Sequence, residues 1–402
     1  MTYEKQHPNQ HTNTPMTRRS FIKKSAAAIL ILSLGGTTWR AIEQGVFSTG
    51  QGPAYEPWNI AAQTDLKGPM PLIRDAILAS NPHNSQPWLF KITENQIDVF
   101  ADKARNIGAI DPYHREMYMG LGCAIENIML SAPAHGYQSQ IHYMPNPADP
   151  TAIAKITLGK TTSRDSQLYR AIPYRHTHRG EYDTTKEISS TMMKEMETLC
   201  SEERKVRLSW FTSLEDKKQV GELIIKATEA IISDKEMSDS SNKWFKEDWK
   251  EIQESRDGIT LDAQGEPFLI RAAGKMLPPL SNKQNDDFWL EATKTKHIPT
   301  ATAFGLLAVR DPMDNEQRAR AGRVWQRLHL FGASQGLGMH PLNQVNEMTD
   351  REKIIGAVPY FGEELQKLTG DNDWEGLFIF RMGYPLNETY PSPRRPIEDV
   401  LL

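Results

Sequence analysis

Residues 80–88 read SNPHNSQPW. Two prolines, two asparagines, a glutamine and a histidine in nine residues are too polar for a core segment, and the prolines exclude regular structure. The stretch reads as a stiff loop that presents amide and imidazole groups and ends on an apolar anchor, Trp88. Asn84 and Gln86 each carry donors and an acceptor on one side chain. The loop therefore suits a ligand edge that offers both kinds of group. The competing reading is a proline-rich turn without a ligand.

The flanking segments set the fold class. Upstream, Leu72, Ile73, Ala76 and Ile77 recur at helical spacing. Downstream, LFKITENQIDVFAD (89–102) alternates around a polar Thr93–Gln96 turn and predicts a β-hairpin. Residues 111–136 follow as a helix, with Tyr118, Leu121, Ile125, Ile128 and Ala132 on one face and Gly136 as its stop. Residues 139–145 and 152–159 are strand-like. A second helix, AGRVWQRLHLFGASQG (321–336), repeats the first. Gly122 and Gly136 are fourteen apart, as are Gly322 and Gly336. Ile128 matches Leu328, Leu130 matches Leu330, and Glu126 matches Gln326. This predicts an α+β fold in which two related halves pack as a pseudo-dimer. Two unrelated amphipathic helices with glycine ends are the alternative.

The expected division is a polar N-terminus with a signal (1–36), a Gly- and Pro-punctuated, extended connector (37–71), a first half (72–165) and a second half (166–402). A charged aromatic insertion at 233–297 has no counterpart in the first half and is expected to lie over a groove as a lid. A surface helix packing Trp244, Phe245 and Trp249 on the nearest core is the alternative.

The 402 residues are 39% apolar and 24% charged with a net charge of −4. That balance fits a globular protein with a sizeable core and disfavours nucleic acid as a partner. The two cysteines, Cys123 and Cys200, lack the spacing of a zinc site or a disulfide framework. At the N-terminus, TRRSFIKKSAAAILILSLGG (17–36) puts Arg18-Arg19 and Lys23-Lys24 before an apolar run too short to span a bilayer comfortably. It matches a twin-arginine export signal. No clean cleavage site follows, so the segment is expected to export the chain to the periplasm or to hold it on the outer face of the membrane.

Three further clusters bear on chemistry. RHTHR (175–179), if extended, points Arg175, Thr177 and Arg179 the same way, which suits a dianionic phosphate. The interleaved His176 and His178 have no third metal ligand nearby in sequence. SPRRP (392–396) holds Arg394 and Arg395 between prolines. GASQG (332–336) matches the pattern of a hydrolase nucleophile elbow, but the residues before Ser334 are helical in period, which argues against a catalytic serine. Glu116, in the first turn of its helix, reads as a favourable dipole contact.

Together these pieces resemble the nitroreductase family. NPHNSQPWLFKI resembles its Asn-Gln loop, IPYRHTHRGEYD its Arg-x-Ser-x-Arg phosphate motif, LHLFGASQGLGMHPLNQ its helix and glycine turn, and FRMGYP with PSPRRPIEDVL its C-terminal strand and basic end. The order, loop first and arginine motif about ninety residues later, resembles a duplicated single-chain branch, the mycobacterial Acg-type proteins. The first half lacks the arginine motif and the second lacks the Asn-Gln loop, a departure from the dimeric family. The resemblance implies one FMN per chain in a composite site. Pro82, His83, Asn84 and Gln86 would meet the ring edge. Arg175, Thr177 and Arg179 would take the phosphate with Arg394 or Arg395, and Gly336 and Gly338 would let the backbone approach the ring. It implies an FMN-dependent oxidoreductase passing two electrons from a small donor to a small acceptor, with no side-chain acid or base required. The alternative is a flavin-holding protein without turnover, its flavin covered by a lid.

Overall fold

The computed structural model describes residues 36–63 and 65–402. Nearly all of the export-signal reading at 1–36 therefore lies outside the described residues. The rest is α+β, as the sequence predicts, and has two antiparallel sheets flanked by helices.

The first sheet grows from the hairpin. Strands β1 (Trp88–Thr93) and β2 (Gln96–Ala101) pair with Trp88 opposite Ala101 and Thr93 opposite Gln96. Helix α1 (Arg115–Ala134) follows, then β3 (Tyr137–Tyr143) and β4 (Ala152–Lys160). The order is β1-β2-β4-β3. The second half starts with β5 (Val206–Phe211). A long segment then carries two short parallel-paired strands, β6 (Phe245–Lys246) and β7 (Ile259–Thr260). Strand β8 (Ala303–Val309), helix α2 (Asn315–Ser334), β9 (Gly338–Pro341) and β10 (Glu375–Gly383) complete it, in the order β5-β8-β10-β9. In each half the first two strands are neighbours, the helix follows, and the last strand inserts beside the second. The two halves differ at two connections. Two residues join β1 to β2, whereas 212–302 separate β5 from β8. Residues 144–151 join β3 to β4, whereas 342–374, with two helices, join β9 to β10.

Helices α1 and α2 cross at small residues. A Cβ on Gly122 would run into the Ala319 carbonyl, and a Cβ on Gly322 would run into the Met119 carbonyl. The two contacts are reciprocal, and their members stand 200 positions apart. Backbones approach this closely only where no side chain intervenes. Around the crossing, Phe90, Leu121, Ile125 and Ile128 pack with Val324, Trp325, Leu328 and Phe380 into one core shared by both halves. Glu126, buried, receives Arg323 at 2.6 Å and Arg327 at 2.5 Å. Its counterpart Gln326 instead donates to Asn127 at 2.8 Å.

One expectation needs correction. The connector is not extended. It forms a helix at Gly36–Glu43 and a 3-10 helix at Pro53–Trp58, which Pro53 can open because the first turn has no N–H partner to lose. The charged aromatic segment is helical in part. Asp248 accepts from the Glu251 N–H and starts a new helix, Trp249–Ser255, after the β6 break. Glu116 stands in the first turn of α1, as its sequence position predicts. It is buried beside Glu347 of the helix Gln344–Ile355. Burial raises both carboxyls, Glu116 to about 7, although Arg115 stands beside them. Arg115 itself donates to Asp350 at 2.8 Å.

Candidate anion-binding site

The loop opened by Pro82 has an unusual backbone. His83, Asn84 and Gln86 all take positive φ, at 47°, 56° and 53°. Asparagine and histidine are enriched in this region, whereas glutamine adopts it at a cost. Surrounding bonds hold the loop there. The Asn81 side chain accepts from the Gln86 N–H at 2.8 Å. The Asn84 amide donates to Pro393 O at 2.9 Å and to Gly258 O at 3.1 Å, and its oxygen accepts from Arg394. Gln86, fully buried, donates to Arg256 O at 2.7 Å and accepts from the Arg395 N–H at 2.8 Å. The loop thus ties the long inserted segment to the C-terminal tail.

Beside it, Trp58, Ser80, Asn81, Asn84, Arg175, His176, Thr177, Arg179, Ser392 and Arg394 line a narrow polar cleft of about 20 Å³. That is room for a water or two. Residues 175–179 have no regular structure. Arg175, Thr177 and Arg179 all reach this cleft, while His178 turns away to Asn387 O at 2.7 Å. Arg175 bonds Leu78 O at 3.0 Å, Arg179 bonds Ala263 O at 3.2 Å, and Arg394 bonds Ala79 O at 3.2 Å while lying 4.8 Å over the Trp58 ring. Among the described residues no carboxylate pairs with any of the three. The Nε atoms of Arg175 and Arg394 and Nδ1 of His176 are buried without a partner. Burial lowers Arg175 and Arg179 to about 10, and Arg394 falls by the same cause and by its nearness to Arg175. His176 drops to about 3, by burial and then by Arg175 and Arg394, so its imidazole is neutral. Buried cations without counter-charge are unfavourable, and an anion entering here would remove that penalty.

The other residues named from sequence lie elsewhere. Pro82 packs on α1 at Gly120. His83 contacts Ser241 at 3.1 Å, and burial with Arg179 nearby lowers it to about 4. Arg395 bonds the Gln86 and Asp399 carbonyls on the outer side of the loop. Gly336 has φ 75° and turns the chain out of α2, as Gly136, also at 75°, does after α1. Gly338 packs on Tyr182, His178 and Pro385. Neither glycine lines the cleft. Ser334 is the last residue of α2 and donates to Phe331 O at 2.7 Å, which is helix-end geometry rather than an elbow. Among the described residues no cluster suits a metal ion, and both cysteines are free and buried.

Sequence reasoning missed two contributors. Trp58 closes the cleft, fixed by its Nε1 donating to Ser392 O at 2.8 Å and by its edge-on contact with His176 at 4.6 Å. Arg381 of β10, fully buried, donates to the carbonyls of Arg179 at 2.9 Å and Gly180 at 2.8 Å, and so holds the arginine segment from behind. An aromatic inside a proline-rich connector and an arginine inside an apolar strand were the available signals.

The site is thus a guanidinium cluster, Arg175 and Arg394 buried and Arg179 half-buried, in an α+β protein. No family model matches the chain. It is 28% identical over 109 residues, 27% of its length, to "Putative NAD(P)H nitroreductase Rv3131" of Mycobacterium tuberculosis. It is 33% identical over 81 residues, 20% of its length, to "Putative NAD(P)H nitroreductase acg" of the same species. The matched segments span only 32% and 24% of those relatives. Among solved structures it is similar to the FMN-dependent nitroreductase NfnB of Mycobacterium smegmatis in complex with NADPH. That match has a TM-score of 0.38 and 11% identity, over 58% of this chain and 96% of that one. A nitroreductase with bound FMN from Desulfitobacterium hafniense matches at a TM-score of 0.36 and 9% identity, over 59% and 97%.

Proposed function

We propose that the chain is an FMN-dependent oxidoreductase of nitroreductase type, passing electrons from a small donor to a small acceptor. The observation that carries this reading is the cluster of Arg175, Arg179 and Arg394, inward-facing and without a carboxylate. The local similarity to two proteins named as NAD(P)H nitroreductases supports it. The donor set fits the phosphate of FMN. Arg175, Thr177, Arg179 and Arg394 would hold it, and Trp58 would keep water from it. Bound FMN supplies reversible redox chemistry at its ring. The ring itself exceeds the present cleft, and the amides of Asn84 and Gln86 are taken by the 256–258 segment and the tail. Ring binding therefore requires that segment to withdraw. A second reading is a flavin holder without turnover under a lid formed by the inserted segment.

We further infer that the two halves are copies of one unit, supported by their common strand order and the reciprocal glycine contacts. The twin-arginine stretch would export the folded, loaded chain.

The test is the absorbance spectrum and flavin stoichiometry of the purified full chain. One FMN per chain is expected, lost together with phosphate-induced thermal stabilisation in Arg175→Ala. A colourless protein that neither FMN nor inorganic phosphate stabilises would end the reading. Anaerobic turnover of NADPH with a nitro compound distinguishes the enzyme. Bleaching by dithionite alone supports the holder.

A further inference from the structure

An apolar patch stands apart from this site. Trp39 is 68% exposed, Ile42 65%, Phe47 66%, Phe268 47% and Leu269 64%. They share one surface. The helix Gly36–Glu43 buries Ala41 against Ala272 and Met276 of the helix Phe268–Met276, and Arg40 donates to Met276 O at 3.2 Å. Trp39 and Ile42, three apart, are left on the outer face. The Phe47 ring lies 6.4 Å from that of Phe268. Five large apolar side chains grouped this way are not ordinary scattered surface hydrophobics.

What covers them is indicated by the chain itself. Residues 26–34 read AAAILILSL, behind Arg18, Arg19, Lys23 and Lys24. Four residues lie between Leu34 and Trp39, a reach of at most about 18 Å even fully extended. Anything that takes up the apolar run therefore brings the patch to its surface. Tryptophan and phenylalanine beside a basic apolar segment are the composition that settles at a lipid–water interface. Among the described residues no helix is long and apolar enough to cross a membrane, so the folded part would lie on the bilayer. We propose that Trp39, Ile42, Phe47, Phe268 and Leu269 form a membrane-contact surface that docks the folded chain on phospholipid, beyond whatever hold residues 26–34 provide.

The experiment uses the full chain and vesicles of phosphatidylcholine with phosphatidylglycerol. Both native cysteines are buried, so Leu269→Cys can be labelled selectively with an environment-sensitive dye. A blue shift and quenching by nitroxide-labelled lipid are expected once the protein is vesicle-bound. Replacing Trp39, Ile42 and Phe268 together by Ser should abolish the quenching and weaken partitioning by on the order of a hundredfold or more, since each side chain withdraws apolar area from water. Val358→Ser, at an 80% exposed apolar residue on another surface, should change neither. Circular dichroism confirms that each variant is folded. A label that stays unshifted and unquenched on vesicle-bound protein would overturn the proposal. So would a lipid-free, concentration-dependent dimer that shields the label, which would assign the patch to a second copy.

Discussion

The crossing of α1 and α2 gives the sharpest quantitative test. In Gly122→Ala the added methyl would lie on the Ala319 carbonyl, 2.8 Å from its carbon and 3.0 Å from Ala319 Cα. In Gly322→Ala it would lie 2.7 Å from the Met119 carbonyl carbon and 2.8 Å from Met119 Cα. The obstacle is helix backbone in both cases, so no side chain can swing aside and the axes must part. Parting also strains the Glu126 bonds to Arg323 and Arg327 and loosens the shared core. Overpacking costs about 1–3 kcal/mol, and the absence of any soft neighbour places each variant near the upper end, about 3 kcal/mol. Once the helices have separated for one methyl, the other is largely accommodated. The double variant should therefore cost about 4 kcal/mol rather than the sum. Guanidinium unfolding of the two singles and the double measures this. Unequal singles, or a double equal to the sum, would refute the reciprocal crossing. A neutral Gly122→Ala would refute the close approach itself.

Three other outcomes are expected. Folded Glu116 holds its proton more tightly than the unfolded chain does. The stability it lends is complete below the ordinary carboxylate range and is lost as pH rises through about 7. Glu116→Gln should therefore shrink the drop in urea midpoint between pH 5 and pH 8, and an unchanged drop would contradict the buried pair. Gln86→Ala removes partners from Arg256 O and the Arg395 N–H at a fully buried position, at a cost of about 1–3 kcal/mol per orphaned group. Limited proteolysis should then cut faster within 233–297 and near the tail. Burial raises the Cys123 thiol and lifts Cys200 to about 12. Ellman's reagent should find no fast thiol in the native protein and two after denaturation.

The hairpin, α1, α2 and the strands after α1 were legible because each segment's apolar period matches the face it buries. The glycine spacing was legible because two backbones in contact leave a sequence mark. The connector was misread because glycine and proline report where regular structure stops, not whether the segment docks. The first-turn place of Glu116 was legible, but not its neighbour Glu347, which is over two hundred residues away and beyond any local pattern. The arginine segment was legible as charge, but its isolation from carboxylates is a three-dimensional fact. The amides of Asn84 and Gln86 illustrate the same limit: sequence shows their bonding capacity, and only the fold shows what takes it up.

The contact between α1 and α2 is intramolecular, and this alters how it responds to dilution. Separate subunits joined by such a crossing would come apart as their copy number falls. Here the intervening polypeptide keeps the two faces at a fixed local concentration. A cleft assembled from both should persist in a cell holding few molecules. Position 126 can also gain two arginines while position 326 stays neutral, because a change on one side need not be mirrored on the other.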